Sequence, residues 1–391
     1  MRHLVTAAIV YAPLAACARM DTAPSTVATR DSAGISIIES SAPQWTAGTE
    51  WSIGDVSTAF APVDISGVIG AVRLDDGTSV LGEEGAARLL YFGADGALKR
   101  SVGRRGDGPG EFRLPLFLGR AGDTVWVYDY TQARVTRFDA EGELIDIVNL
   151  TPPLPSALAF GGLPDGSLVF MGQWHSNVAR NAQGLMRDTV AVVRYRDGVR
   201  ADTVATTPGR EFVQRAEAGG RMVMSRAIFA RRASATIWGG VIVLGAQTDH
   251  SLRVVGADGR ERQSIRWSGP DLTLTAADVT GWVDAQIASA PAGQREPMRW
   301  VFAASPVPER RPSYDRLMAD ASGRLWVSEY PTAEAEPSRW DVFAPDGTWL
   351  GPVRVPERFR PLDVGRDWVL GVRLDSLDAE RLELRMLRSR N

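Results

Sequence analysis

The feature that most constrains this chain is a recurring turn. Asp76-Gly77, Gly122-Asp123, Asp165-Gly166, Gly239-Gly240, Ser322-Gly323 and Arg366-Asp367 each precede a short β-rich run: TSVLG, TVWVYD, SLVFMG, VIVLGA, RLWVSEY and WVLGVRL. A second set, Asp95-Gly96, Glu141-Gly142, Asp197-Gly198, Asp258-Gly259 and Asp346-Gly347, follows runs such as LLYFGA, RVTRFDA and WDVFAP one hairpin later. Glycine reaches the positive φ angles of tight hairpins and aspartate caps turn backbone, so such dipeptides between apolar runs mark hairpins.

Two linked hairpins make a four-stranded sheet. Six such units in a row predict an all-β fold, a six-bladed β-propeller with four-stranded blades, over residues 34–391. The second set has no sixth member because the chain supplies one more strand, near Arg381–Leu387, and then stops. The last sheet is therefore one strand short. Closure by an N-terminal strand, the run Ile35-Ser36-Ile37-Ile38-Glu39, removes the exposed edge.

The period breaks twice. Between Gly259 and Asp346 the extra chain contains LTLTAADVTGWVDAQIASAPAGQREPMRWVF, within a helical insertion at about 273–312. Thr275 with Asp278 forms a capping box, Val279, Trp282, Val283, Gln286 and Ile287 fall on one helical side, and Pro291 ends the helix. Residues 173–187 form a smaller polar insertion, expected to be a surface loop.

The amino terminus is an address. Arg2 is followed by the apolar stretch Leu4 to Leu14, too short to span a bilayer, and then by Leu14-Ala15-Ala16-Cys17. This resembles the lipobox of bacterial lipoproteins, in which cleavage precedes a cysteine that becomes the lipid anchor. Cys17 is the only cysteine, so residues 1–17 read as a signal peptide and the mature body has no disulfide. Residues 18–33, rich in Ala, Ser, Thr and Asp, read as a flexible tether. Ala18 after the cysteine, by resemblance to other lipoproteins, favours the outer membrane, with the body facing the periplasm or the cell surface.

The segment Ser101–Gly142, SVGRRGDGPGEFRLPLFLGRAGDTVWVYDYTQARVTRFDAEG, resembles an NHL repeat: a GxxGxGPGxF loop, a strand, VxD, an Arg-Val pair and Phe-Asp before a glycine turn. The match is close over one blade and looser from about residue 35 to 388. Gln132 departs from it, because NHL repeats usually carry Asn there. Asp129, Arg134 and Asp139 occupy the polar positions of the repeat and are expected to satisfy turn backbone groups and each other. The resemblance implies a fold and leaves function open.

Several activities have no matching pattern. Gly103–Gly110 lacks the GK[ST] ending of a phosphate loop and is expected to link blades. Of three histidines, His3 lies in the leader, leaving His175 and His250, too few for a histidine-built zinc site. The asparagines, Asn149, Asn177, Asn181 and Asn391, are poorly spread for an ion centre fed by separate blades. No GxSxG elbow occurs. No catalytic residue, metal ligand or cofactor is assigned. Lys+Arg 44 against Asp+Glu 47 gives a net charge of −3, which excludes nucleic-acid binding driven by bulk charge. Lys99 is the only lysine, which reflects coding bias more than a need for guanidinium.

What remains is a concentration of Arg and Trp in and near the insertion. Arg231, Arg232, Trp282, Arg299 and Trp300 are the candidate ligand face, with Arg295, Arg310 and Arg311 nearby. The reading is a lipid-anchored envelope β-propeller that binds or scaffolds a protein or glycan and meets the membrane through its anchor only. The alternatives are a lyase or hydrolase at the central channel, and an accessory subunit of a membrane complex.

Overall fold

The computed structural model describes residues 26–45, 51–154, 157–172, 182–216, 220–331 and 339–389. β1 (Val27–Ser32) and β2 (Ile35–Ser40) form a hairpin, followed by β3 (Trp51–Ala59). From residue 68 the strands run antiparallel in sequence order. The first run is β4 (Val68–Arg73), β5 (Ser79–Glu83), β6 (Arg88–Phe92) and β7 (Leu98–Val102). The second is β8 (Pro115–Ala121), β9 (Thr124–Asp129), β10 (Arg134–Phe138) and β11 (Leu144–Asn149). The third is β12 (Ala157–Gly162), β13 (Leu168–Gly172), β14 (Gly184–Arg196) and β15 (Val199–Ala216), with β16 (Met222–Arg226) paired to the far part of β15. The fourth is β17 (Ser234–Trp238), β18 (Val241–Gly245), β19 (Ser251–Val255) and β20 (Glu261–Trp267). Helices α1 (Ala276–Ser289) and α2 (Arg295–Ala303) follow. The fifth run is β21 (Tyr314–Ala319), β22 (Leu325–Glu329), β23 (Arg339–Phe343) and β24 (Trp349–Arg354). The last is β25 (Phe359–Val364), β26 (Trp368–Leu374) and β27 (Glu380–Ser389), with β3 beyond β27. One pair, Arg354↔Ser52, ties β24 to β3 and so joins the last two runs into one sheet.

The first strands of successive runs lie side by side, from β25 to β4, β8, β12, β17 and β21. The Ala321 N–H donates to the Val364 carbonyl at 3.1 Å and links the end of the fifth run to the sixth. Six buried apolar clusters fill the spaces between neighbouring runs. Val80, Leu89 and Phe112 with Val125 and Val127 join the first two. Leu81, Leu90 and Phe92 with Leu370 and Leu384 join the last back to the first. This is a β-propeller, in which every sheet is covered on both faces. Central strands therefore read as unbroken apolar runs, as in VWVY of β9, while the outer strand β7 carries the exposed Leu98, Lys99, Arg100 and Ser101.

The turns work as their sequence implies. Gly77, Gly96, Gly142, Gly166, Gly198 and Gly259 have φ between 78° and 90°, a region closed to most side chains. The aspartates bind the turn backbone: Asp76 accepts from the Thr78 N–H at 2.8 Å, Asp165 from Ser167 at 3.0 Å and Asp346 from Thr348 at 2.9 Å.

Three expectations change. The closing strand is β3, whose Ile53 pairs with Leu387 and whose Ala59 pairs with Glu383; the run at 35–39 does not close the last sheet. It lies parallel to β20, on the outer edge of the fourth run. Ile37 and Ile38 are both buried, and adjacent strand residues point to opposite faces, so this run needs apolar cover on both sides. β3 buries Ile53 and leaves Asp55, Val56 and Ser57 exposed, as suits an outermost strand. Second, the tether does not extend to residue 33. Val27–Ser32 is strand β1, turned into β2 through Ala33 and Gly34 at φ 55° and 81°, a two-residue hairpin loop of the primed type. Third, Gly184–Arg187 of the polar insertion belongs to β14, while residues 173–181, with His175, lie outside the described residues. So does Cys17.

Candidate functional site

The helical insertion that breaks the period builds one wall of a recess. Helix α1 starts at Thr275, whose side chain accepts the Asp278 N–H while the Asp278 carboxylate accepts the Thr275 N–H, and it ends before Pro291. It packs on the chain leaving β16. Ile228, Phe229, Trp282, Ile287 and Phe302 form a seventh buried cluster, with Tyr330 against it. Phe229 lies 5.0 Å from Trp282 and 5.9 Å from Tyr330 between ring centroids.

Beneath this lid is a recess of about 380 Å³. It lies at the leading ends of β12, β17 and β21, where Leu158, Ala233 and Asp315 line it, and extends beside β15 and β16. Its charged groups are Arg210, Arg226, Arg232 and Asp315, and its lid side carries Trp282, Gln286 and Tyr330.

Each arginine is placed by local structure. Arg210 follows Gly209, where an added Cβ would sit 1.9 Å from Asp188 Oδ1, so the backbone passes there only without a side chain. Arg187 fixes that stretch by donating to the Gly209 carbonyl at 3.1 Å and the Ala246 carbonyl at 2.5 Å. Burial lowers the Arg210 pKa, and the positive charges of Arg226 and Arg232 lower it further. Arg226 donates to Gln286 Oε1 across the recess at 2.8 Å. Arg232 donates to Asp315 Oδ1 at 2.6 Å, and its backbone N–H is held by Gln247 Oε1 at 2.8 Å. The buried Gln247 side chain also donates to Ser234 Oγ and the Asp315 carbonyl, both at 3.0 Å, which ties β17 to β21. Next to Asp315 on β21, burial lowers the Arg316 pKa; Asp315 opposes this, while Arg360 and Arg232 add to it.

The residues of the expected ligand face are thus dispersed. Arg232 and Trp282 line the recess, although Trp282 is only 7% exposed and serves mainly as core. Arg231 is taken up by Glu211, with its N–H on Oε2 at 2.9 Å and Nε 3.2 Å from Oε1. Arg299 and Trp300 stand on α2 away from the recess lining, Arg299 3.6 Å from Glu296 and Trp300 80% exposed. Arg210 and Arg226 went unread, because in sequence they look like ordinary polar positions of strands.

Other candidates resolve into structure. Asp129 is fully buried and accepts backbone N–H bonds from Arg113 at 2.6 Å, Leu114 at 3.1 Å and Gln132 at 3.0 Å. Arg134 donates to the carbonyls of Asp107, Gly108 and Glu111. Asp139 accepts from Glu141 and Glu143. They satisfy backbone groups, as expected, with no bond to each other among those formed. His250 packs edge-on against Trp267 at 5.3 Å, and burial pushes its pKa down to about 4. Among the described residues, no three His, Cys, Asp or Glu side chains are grouped to hold a metal ion, and no helix is long and apolar enough to cross a membrane.

No family profile and no curated protein matches this chain. Solved structures do. A protein described as exported, from Bacteroides fragilis, is 12% identical, with 91% of this chain and 100% of that one covered and a TM-score of 0.50. A member of the DUF4221 family from Bacteroides vulgatus is 12% identical, with 88% and 99% covered and a TM-score of 0.51. Virginiamycin B lyase from Staphylococcus aureus is more distant, at 11% identity, 86% and 99% coverage and a TM-score of 0.42, and no residue role is taken from it. At these identities the likeness is one of fold.

Proposed function

We propose that the chain is a lipid-anchored six-bladed β-propeller of the bacterial envelope, built from four-stranded blades, that works as a binding module. It takes its ligand at the face carrying helix α1. The observation that supports this is the recess itself: helix α1, an insertion outside the needs of the ring, and the chain of β15 and β16 enclose a cavity of about 380 Å³ at one end of the inner strands. A cavity of that size, with mixed apolar lining and a few polar groups, suits part of a glycan or a short stretch of polypeptide. Loops and insertions on a rigid scaffold are where binding residues concentrate. The lipobox-like Leu14-Ala15-Ala16-Cys17 supports anchoring, and by resemblance the outer membrane.

Proximity crosslinking in the native envelope, from a residue on α1 such as Gln286, tests this against a Cys17→Ser control. One reproducible protein or glycan partner, weakened in the control, is the expected result. No reproducible partner from α1, with one captured instead by a probe on the opposite face of the ring, would refute it.

A further inference from the structure

The recess holds more positive charge than its own carboxylates neutralise. Three guanidinium groups and one carboxylate line it. The carboxylate, Asp315, is committed to Arg232 at 2.6 Å and also lies 3.5 Å from Arg316. The partner of Arg226 in the recess is a neutral amide, Gln286. Arg210 has no acidic partner within salt-bridge distance among the described residues, and its pKa is lowered by its two neighbouring arginines as well as by burial. Arg324, Arg339, Arg373 and Arg385 are matched by Asp320, Asp341 and Glu383, whereas Arg210 and Arg226, which stay exposed to solvent, are bonded to no carboxylate of the recess. Like charges gathered around one recess raise its positive potential and favour an anion arriving from solvent.

From this geometry we infer that the recess is an oxyanion site, in which Arg210 and Arg226 grip the carboxylate or phosphate group of a sugar-sized ligand while Tyr330 flanks its apolar face. The planar guanidinium fork suits two-point contact with either group. The cavity of about 380 Å³ leaves room for one or two sugar rings beyond the charged group. This rests on the reading of the α1 face as the binding face, and it names the chemistry recognised there.

The test is calorimetric titration of the full mature protein with glucuronate, glucose 6-phosphate, inorganic phosphate and, as neutral control, glucose. Binding of the acidic sugars without binding of glucose is expected, weakened by added salt. Arg210→Gln should lower that affinity at least about tenfold, the scale of one charge-assisted contact, with an unchanged melting temperature. Arg299→Gln, on α2, should leave it unchanged. Tighter binding of glucuronate points to a uronate-bearing source, and tighter binding of the phosphate ester to a phosphorylated one. Phosphate alone matching both, with the same loss in Arg210→Gln, still supports the oxyanion site. Equal binding of glucose, no binding of any anion, or no effect of Arg210→Gln in a folded protein would overturn it. Loss of anion binding with α1 crosslinks intact would leave the binding-module reading standing, and the reverse result would leave the oxyanion site standing.

Discussion

Replacing Asp129 by alanine should cost more stability than almost any other single polar change in the ring. The carboxylate is fully buried and accepts three backbone N–H groups, two on Oδ2 from Arg113 and Leu114 and one on Oδ1 from Gln132. It thereby anchors the glycine-rich loop between the first two runs to the end of β9. Alanine removes all three acceptors at once and leaves donors where water enters poorly. At roughly 1–1.5 kcal/mol for each net hydrogen bond lost, the expected loss is about 3–5 kcal/mol. Asp129→Asn keeps one acceptor oxygen and should lose about half as much. With a urea m-value of about 3 kcal/mol per M, the alanine variant should unfold about 1 M earlier. Urea titration followed by tryptophan fluorescence measures this. A loss below about 1 kcal/mol for Asp129→Ala, or a larger loss for Asn than for Ala, would refute the assignment of this residue to backbone satisfaction.

Other outcomes follow from the same contacts. His250 has its folded-state pKa lowered from 6.5 to about 4, so the unfolded chain binds the proton more readily between those values and stability falls as pH drops through that window. Discounted for partial exposure, the effect is about 2 kcal/mol, and His250→Leu should flatten this part of the pH–stability profile relative to wild type. Asp315→Asn frees Arg232 from its counter-ion and should tighten binding of glucuronate or phosphate several-fold by calorimetry. Trp282→Ala removes the centre of the seventh cluster, at about 3–5 kcal/mol of local packing, and should expose α1 to limited proteolysis while the ring stays intact. Ile53→Ala, in the strand that closes the ring, should lower stability by about 2–4 kcal/mol, whereas Val56→Ala on the same strand should change it little.

The parts of this molecule that were legible in its sequence are those whose physics is local. A hairpin turn needs positive φ and a side chain to bind its amides, so Gly and Asp declare it within two residues. The helix at 276 declares itself as directly, because Thr275 and Asp278 cap each other across a single turn. The closing strand was misread because the β-branched richness of Ile35-Ser36-Ile37-Ile38 is a stronger strand signature than the mixed sequence of β3. Richness identifies a strand but does not identify its neighbour. Two adjacent buried isoleucines require cover on both faces, and the parallel seat beside β20 supplies it. The recess was the least legible part, for a related reason. Arg226 meets Gln286 only because helix α1 reaches back to β16, and Arg232 meets Asp315 only because β17 and β21 are neighbours in the ring. Trp282 shows the limit from the other side: an aromatic on a helix face reads equally as ligand contact or as core, and here it anchors the lid. The recess therefore has its sequence trace less in the repeat than in the helical insertion that interrupts it, which supplies Trp282 and Gln286 to the lining.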